Sequence, residues 1–270
     1  MSLQVLLVGC GNMGFAMLKG WLDANRLKAG DGGVIEPADA LRERAASLGV
    51  TALATIDELA ADIAPRLIIF AVKPQVILDI LPAYARFSGT ATFLSVAAGT
   101  PISAFEALLG TDAAIVRCMP NTPAAIGKGM MVVVSNANVT AATSGFVSEL
   151  LSASGEVETI DDETLMDAVT AVSGSGPAYL FHFIECLAAA GEAAGLPQET
   201  AKRLAMQTVY GAASLAAGST DEPAELRKQV TSPNGTTAAA LSVLMEGDRL
   251  KTLVTAAVEA AKTRSIELGK

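Results

Sequence analysis

Short apolar runs rich in β-branched residues alternate with longer segments of helical spacing over the first part of the chain. The segments between the runs, such as 16–22 and 40–48, carry Ala and Leu at helical intervals. Strands that are apolar along their whole length are buried on both faces, and helices that join them make them parallel. The pattern therefore predicts a doubly wound, mainly parallel α/β sheet. The predicted strands are Val5–Val8, Gly33–Ile35, Leu67–Val72, Thr92–Val96, Ala113–Val116 and Met130–Val134.

The pattern changes near Asp161, beyond which only helical spacing is found. The predicted helices there are Glu163–Val172, Ala178–Ala194, Gln198–Ala217, Thr237–Glu246 and Asp248–Leu268. The two patterns predict a sheet domain at 1–160 and an all-α domain at 161–270. The helix 178–194 is apolar nearly all round, so most of its faces must be buried. A small helical domain buries such a helix best against a second copy, which predicts a homodimer through the C-terminal half.

Composition and charge exclude several classes of protein. Hydrophobic residues make up 51% and charged residues 17% of the 270 residues, which is typical of a folded chain with a large core. The formal net charge of −9 and the lack of Lys/Arg runs argue against binding to nucleic acid or to anionic membranes. No apolar stretch has the length of a membrane span, and the start does not resemble a signal peptide. The three scattered cysteines show neither CxxC nor metal-ligand spacing, so we expect reduced thiols, a cytoplasmic protein and no bound metal.

A glycine-rich turn follows the first predicted strand and opens the first predicted helix. Gly9, Gly11 and Gly14 match GxGxxG in the strand–turn–helix context of a Rossmann-type dinucleotide site. The first glycine permits the turn, the second lets the backbone approach a pyrophosphate at the helix N-terminus, and the third lets helix and strand pack. We expect Asn12 and Met13 to contact the cofactor as well. A glycine-rich turn without a ligand is the alternative.

Glu36 stands at the end of the second predicted strand. A carboxylate there accepts hydrogen bonds from the ribose 2′-hydroxyl of NADH and repels the 2′-phosphate of NADPH. Arg42 and Arg44 are nearby but fall along the next predicted helix. The sequence therefore favours NADH over NADPH, and a solvated carboxylate at a strand end is the alternative.

Two further loops leave the carboxyl ends of predicted strands, where open α/β sheets bind ligands. They consist of Val72, Lys73 and Pro74, and of Ala97, Ala98 and Gly99. Small residues and a proline suit a backbone that lies against a flat cofactor. Lys73 is then a functional residue at the cofactor cleft, with an ordinary surface lysine as the alternative.

Three longer motifs follow: R-C-M-P-N-T-P from Arg117, S-G-S-G-P-A-Y from Ser173 and S-P-N-G-T-T from Ser232. With the glycine turn and the Ala-Val-Lys-Pro loop, they make the chain resemble the pyrroline-5-carboxylate reductase family from Val5 to the final helix. The resemblance implies an NAD(P)H-dependent oxidoreductase that reduces the C=N bond of 1-pyrroline-5-carboxylate to L-proline in proline biosynthesis. It also implies an N-terminal Rossmann domain, a C-terminal all-α dimerisation domain and, in some members, a ring of five dimers.

The resemblance also assigns site residues, with Asn121 joining the cofactor contacts given above. The implied substrate contacts are Glu163, Ser173, Gly174, Ser175, Gly176, Pro177, Ser232, Gly235, Thr236 and Thr237, the last pair from the partner subunit. Glu36 departs from the small or hydroxylated residue of many members, which puts their usual NADPH preference in doubt here. Asn234 stands where Gly is commonest, which suits a left-handed backbone.

The reaction makes three demands on the protein. The N–H groups and hydroxyls of 235–237 precede an apolar helix and suit the substrate carboxylate, with ordinary helix capping as the alternative. The loop 173–177 leaves room for the ring beside the nicotinamide, unless it only starts a helix. A cyclic imine is basic enough to be partly protonated near neutral pH, so a strong general acid is not required. We therefore expect Thr237, Ser175 and Lys73 to be the catalytic residues.

Two other functions stay open at the level of sequence. A β-hydroxyacid-type NAD(P)-dependent dehydrogenase would need a lysine in the helix after the glycine-rich loop, but no lysine follows Ser173 before Lys202. His182 lies in that helix, and we interpret it as structural. A non-catalytic dinucleotide-binding sensor would keep the glycine turn but would not need the polar motifs at Ser173 and Ser232.

Overall fold

The structure, a computed structural model, describes residues 3–269. Within that range the strands are β1 (Val5–Val8), β2 (Gly32–Ile35), β3 (Thr51–Leu53), β4 (Leu67–Phe70), β5 (Thr92–Ser95), β6 (Ala114–Met119), β7 (Gly129–Ser135) and β8 (Gly155–Thr159). They form one sheet in the order β3-β2-β1-β4-β5-β6-β7-β8. Neighbouring strands are parallel except β6 and β7, which are antiparallel. The predicted mainly parallel, doubly wound sheet is confirmed.

Helices alternate with the strands and then continue alone. They are α1 (Asn12–Asp23), α2 (Asp39–Ala46), α3 (Pro74–Ile80), α4 (Ile102–Leu109), α5 (Ala141–Leu151), α6 (Met166–Val169), α7 (Gly176–Ala193), α8 (Gln198–Gly218), α9 (Pro223–Gln229), α10 (Thr236–Met245) and α11 (Arg249–Leu268). Among the described residues no strand follows Thr159, which confirms the predicted all-α second half. The sequence did not predict α9. It also predicted one helix over 163–172, where the chain forms a 3₁₀ turn, α6 and a π turn (Thr170–Gly174).

The sequence missed β3 and β8, which lie at the two edges of the sheet. β3 has three residues and is partly exposed, so it gives almost no apolar run. β8 reads Gly-Glu-Val-Glu-Thr, and its glutamates are exposed. Charge on an edge strand discourages pairing with other chains, and in β8 it interrupts the apolar run by which strands are recognised in the sequence.

The core fills both faces of the sheet, as expected for central strands that are buried throughout. On one face the Phe70 ring meets the Tyr84 ring edge to face at 5.1 Å between centroids and packs near Phe105. On the other face Leu7 and Trp21 are fully buried. The carboxyl ends of β1, β2, β4 and β5 therefore project from a rigid base, and the predicted cofactor loops begin there.

The chain forms two compact units. One extends to Ser175 and also includes the residues from Ala261 onward, and the other consists of Gly176–Ala260. In the second unit α7 packs on α8 through small residues, since a Cβ added to Gly191 would lie 3.2 Å from the Cβ of Ala201. The sheet ends at Thr159, one residue before the predicted domain boundary, whereas the first compact unit continues beyond it. The boundary between 160 and 161 stays a prediction.

Candidate active site

The glycine turn has the backbone that its sequence requires. Gly9 has a φ of +88°, and a Cβ there would lie 2.7 Å from the Val72 side chain and 2.8 Å from the Ala71 carbonyl oxygen. A Cβ on Gly14 would lie 2.4 Å from the Gly9 carbonyl oxygen. These two glycines are therefore needed so that α1 can approach β1 and the loop after β4.

Gly11 serves a different purpose, because a Cβ at this position would meet no atom within 4 Å. It is the N-cap of α1 in an extended conformation, without a side-chain cap and without an acidic residue in the first turn. Asn12 and Met13 supply the first residues of the helix. The N-terminus of α1 is therefore open beside Gly11, and the site fits the pyrophosphate of a dinucleotide.

Glu36 is only 6% exposed and holds the glycine turn in place. Its Oε2 accepts a hydrogen bond from the Cys10 N–H at 2.7 Å, and its Oε1 accepts one from the Ala38 N–H at 3.0 Å. The two neighbouring arginine side chains form hydrogen bonds with backbone carbonyl oxygens. Arg42 donates to the Glu36 and Pro37 carbonyl oxygens, and Arg44 donates to the carbonyl oxygens of the turn at Cys10 and Gly11.

Cys10 lies inside the same turn with its thiol buried. Burial raises its pKa to about 11, which outweighs the lowering by Arg44, and Glu36 raises it further. The thiol is therefore neutral at physiological pH, and it acts as a small packing group, not as a nucleophile.

A cavity of about 280 Å³, called the cleft cavity here, lies beside the glycine turn. Its walls combine the start of α1, the ends of β4, β5 and β6, and the π turn. It is lined by Met13, Ala71, Val72, Val96, Met119, Pro120, Asn121, Thr122 and Gly174. Four residues of the predicted cofactor and substrate sets thus share one cavity, namely Met13, Val72, Asn121 and Gly174.

A second cavity, of about 270 Å³, lies on the other side of Val72 between β2 and α3. Its lining is mostly apolar and includes Gly9, Pro37, Ile56 and Tyr84. A flat, weakly polar ring such as adenine fits such walls. The apolar lining was not predicted, because Ile56 and Tyr84 lie far along the chain from the glycine motif.

The loop after β4 places Lys73 as the N-cap of α3, with Pro74 in the first turn. The Lys73 side chain is exposed, and among the described residues it forms no ion pair. Its exposure fits both a functional lysine and an ordinary surface lysine, so its role stays a prediction.

The loop after β5 is supported from behind. Gly99 has a φ of +76°, and a Cβ there would lie 3.2 Å from the Gly269 nitrogen and the Leu268 carbonyl carbon. Ala97 is buried, and Ala98 is half-buried. The contact with residues 268–269 was not visible in the sequence, because no motif links positions so far apart.

Asn121 connects the cleft to the segment that the resemblance assigns to substrate. Its Nδ2 donates to the Ser173 carbonyl oxygen at 3.2 Å and to the Ser173 hydroxyl at 3.3 Å. Its Oδ1 accepts from the Met130 N–H at 2.9 Å. The side chain therefore fixes the π turn against β7, in addition to lining the cleft cavity.

Glu163 is engaged by protein groups. Its Oε1 accepts from the Ile102 N–H at 2.8 Å and from Nη1 of Arg117 at 2.9 Å. Only 8% of the Arg117 side chain is exposed, so the pair is shielded from water on the arginine side. The sequence did not identify Arg117 as a site residue, because its partner Glu163 lies 46 residues away and is brought close only by folding. Glu163 thus links α4 to β6 through Oε1, and its Oε2 is left for a further contact.

The π turn falls on the serine-glycine motif. Ser173 and Gly174 lie in the turn and Ser175 follows it, where the Ser175 N–H donates to the Thr170 carbonyl oxygen at 2.9 Å. π turns inside helices frequently occur at functional sites. A Cβ on Gly174 would lie 2.6 Å from the Met119 methyl carbon, so glycine here leaves room in the cleft cavity.

The remaining predicted substrate residues belong to the second unit. Gly176 and Pro177 open α7, and the motif from Ser232 leads into α10. Asn234 has a φ of +59°, the left-handed conformation expected of it. Gly235 is the N-cap of α10 without a side-chain cap, and a Cβ there would lie 2.5 Å from the Ser232 hydroxyl. Thr236 and Thr237 are therefore the first helical residues and not caps.

Comparison with known proteins identifies the family. A model described as pyrroline-5-carboxylate reductase dimerisation matches residues 163–268, and one described as NADP oxidoreductase coenzyme F420-dependent matches residues 4–99. The pyrroline-5-carboxylate reductase of Pseudomonas aeruginosa is 40% identical over 99% of this chain and 97% of its own length. That of Synechocystis is 37% identical over the whole of both chains. This chain belongs to the pyrroline-5-carboxylate reductase family.

Solved structures agree with that assignment. A pyrroline-5-carboxylate reductase from Coxiella burnetii superposes with a TM-score of 0.92 at 32% identity and covers 100% of both chains. Plasmodium falciparum pyrroline carboxylate reductase with NADP bound gives a TM-score of 0.84 at 31% identity, over 99% of this chain and 98% of that one. The resemblance stated from the motifs is confirmed, and with it the combination of a Rossmann-type domain and the family's dimerisation domain.

Metal-binding clusters and membrane-spanning helices are both absent from the described part of this pyrroline-5-carboxylate reductase family member. Across residues 3–269, no three His, Cys, Asp or Glu side chains converge in a way that could hold a metal ion. In the same range no helix combines the length and the apolarity that crossing a membrane requires.

Proposed function

We propose that this chain reduces the C=N bond of 1-pyrroline-5-carboxylate to give L-proline, with a reduced nicotinamide cofactor as co-substrate. The observation that carries the proposal is the cleft cavity, which is lined both by Met13 of α1 and by Gly174 of the π turn. The family membership of the whole chain supports the choice of substrate. The same membership weighs against the β-hydroxyacid dehydrogenase and the non-catalytic sensor.

Each part of the site has a separate task in this proposal. The open N-terminus of α1 binds the pyrophosphate, and Val72, which lines the cleft cavity, borders the cofactor. When bound, the nicotinamide supplies the hydride that the imine carbon receives. The N-terminus of α10, with Thr236 and Thr237, binds the substrate carboxylate of the partner subunit's site, as the family resemblance implies. The imine nitrogen is basic enough to carry its own proton, so Ser175 and Lys73 orient the ring and need not act as strong acids.

We propose NADH as the preferred cofactor. Glu36 places a buried carboxylate where the ribose 2′-hydroxyl would lie, and a 2′-phosphate there would be repelled. Arg42 and Arg44 offer little compensation, because their guanidinium groups already donate to four backbone carbonyl oxygens. This distinguishes the chain from its Plasmodium relative, which was solved with NADP bound.

We further propose a homodimer formed through residues 176–260, in line with the family's dimerisation model. A ring of five such dimers is the larger assembly that the family resemblance implies. A cytoplasmic location agrees with the free thiols of Cys10, Cys118 and Cys186.

The experiment is to mix purified protein with 1-pyrroline-5-carboxylate and to follow the absorbance of NADH and, separately, of NADPH. We expect the cofactor to be oxidised only when the imine is present, and NADH to be oxidised faster than NADPH. A Gly11→Ala variant should raise KM for the cofactor, because its Cβ fills the space of the pyrophosphate. Gly89→Ala is the matched control, since a Cβ there also meets no atom within 4 Å. No oxidation with either cofactor by a folded dimer would refute the proposed function.

A further inference from the structure

The last turns of α11 are attached to the sheet unit by a partly buried hydrogen bond. Ser265 is 3% exposed, and its hydroxyl donates to Oδ1 of Asp167 at 2.6 Å. Such bonds to a carboxylate are short and roughly twice as strong as those between neutral groups. Ser265 is also a buried residue on a helix whose other positions are mostly exposed in the single chain. The bond therefore anchors this end of α11 at one defined point.

A second attachment joins two glycines back to back. A Cβ on Gly269 would lie 2.5 Å from the Gly99 carbonyl oxygen, and one on Gly99 would lie 3.3 Å from the Leu268 carbonyl oxygen. A backbone carbonyl cannot yield as a flexible side chain would. A side chain at Gly269 therefore requires either the loop after β5 or residues 268–269 to move, and the positive φ of Gly99 disfavours a side chain there.

Both attachment points lie next to segments that form the cleft. Asp167 is on α6, which continues directly into the π turn with Gly174. Gly99 is three residues beyond Val96, another residue that lines the cleft cavity. Glu163 links the same two segments. It lies just before α6, and its Oε1 accepts a hydrogen bond from the N–H of Ile102, which follows the loop at Gly99.

We propose that residues 261–269 act as a brace that positions the cofactor loop at Gly99 and the substrate segment at Gly174, with Ser265 and Gly269 as positioning residues. The brace resists movement of both segments because it is fixed to each at a separate point. Accurate placement of two reactants accounts for a large share of catalysis, and small displacements are costly. The brace rests on the proposed reductase function for its kinetic consequences, but its effect on cofactor binding does not depend on turnover.

The test compares Ser265→Ala with Asp167→Asn and with Thr263→Ala, an exposed neighbour on the same helix. Asp167→Asn keeps an Oδ1 acceptor for the Ser265 hydroxyl. The measurements are the Kd for NADH by calorimetry without imine, KM and kcat for both substrates, and Tm. At a temperature well below Tm, Ser265→Ala should raise Kd for NADH and KM for the imine about fivefold. Asp167→Asn, which keeps the acceptor, should retain values close to those of the wild type, and Thr263→Ala should match the wild type.

A brace that only stabilises the fold would give a different result. In that case Ser265→Ala would lower Tm and leave Kd and KM unchanged, which would overturn the proposal. If Ser265→Ala fails to fold, Gly269→Ala replaces it and should raise the same two constants, with Gly145→Ala as the glycine control that meets no atom within 4 Å. A wild type that binds NADH but does not reduce the imine would refute the proposed function alone, and the NADH Kd would still decide the brace.

Discussion

Glu36 combines two roles in one side chain. Its oxygens accept hydrogen bonds from the Cys10 and Ala38 N–H groups, so the carboxylate shapes the glycine turn, where we propose that the pyrophosphate binds. The same charge lies at the end of β2, where dinucleotide folds bind the ribose. A residue that only selected the cofactor could be exchanged without affecting the turn, and Glu36 could not.

Glu36→Gln should therefore change both cofactor preference and cofactor affinity. Loss of the charge should raise the NADPH/NADH ratio of kcat/KM by about tenfold, which corresponds to ~1 kcal/mol or more of relieved repulsion. Loss of one acceptor oxygen should weaken the binding of both cofactors, since Cys10 or Ala38 loses its partner. Steady-state kinetics with each cofactor checks this, with Glu43→Gln on the exposed side of α2 as the equal-charge control. An unchanged ratio would mean that Glu36 serves the turn alone.

Residue types and spacing located Glu36 and the glycines, but not their partners. The Cys10–Glu36 bond joins positions 26 residues apart, and the Arg117–Glu163 pair joins positions 46 residues apart. Such pairs form only because the sheet order brings the ends of different strands together. Glu163 was assigned to substrate by resemblance alone, and its bond to a buried arginine could be found only in the folded chain.

At the scale of the element, the N-terminus of α10 is the site that we propose for the substrate carboxylate. Its N-cap is a glycine without a side-chain cap, and its first turn has no acidic residue. The preceding Asn234 is left-handed and turns the chain so that the Ser232 carbonyl oxygen accepts from the Gly235 N–H. The helix end is thereby built from backbone, and its threonine hydroxyls are not used for capping.

Thr237→Ala tests this helix end. The variant removes a hydroxyl and leaves the N-cap intact, so the helix should form as before. We expect kcat/KM for the imine to fall at least about tenfold, the scale of one lost hydrogen bond to a charged group. Ser242→Ala on the same helix is the control, because its hydroxyl donates only to the Ala239 carbonyl oxygen. Equal kinetics for Thr237→Ala and the wild type would show that the threonine is only structural.

The strands and helices differ in how well they could be predicted from the sequence. β1 and β4 were evident because each is buried along its whole length, whereas the charged edge strand β8 was not. Of the π turn, the sequence predicted residues 170–172 as the end of an ordinary helix and residues 173–174 as part of the following loop, because apolar spacing over so few residues does not distinguish a π turn from an α-helical one. Local patterns therefore gave the central elements, and the irregular ones depend on contacts with the rest of the sheet.

At the scale of the whole molecule, the single chain leaves a large apolar surface without cover. Most of the exposed large apolar side chains of residues 3–269 belong to 176–260. Phe181 is 60% exposed, Tyr210 60% and Leu253 68%, and Ala188 is the buried residue of α7. Soluble monomers rarely expose contiguous apolar patches of this kind. The sequence predicted that the apolar helix α7 is buried against a second copy, and in the folded chain most of α7 is still uncovered.

The dimer proposal makes a prediction that two leucines can decide. Leu253→Glu puts a charge into the proposed interface and should shift the protein towards monomer on dilution, because burying an unpaired charge is costly. Leu108→Glu on α4 is the matched control, since Leu108 is also exposed, at 39%, but belongs to the first unit. Light scattering coupled to size exclusion gives the mass of each variant. A monodisperse monomer for the wild type, or equal masses for the two variants over the whole dilution series, would show that 176–260 does not form the interface.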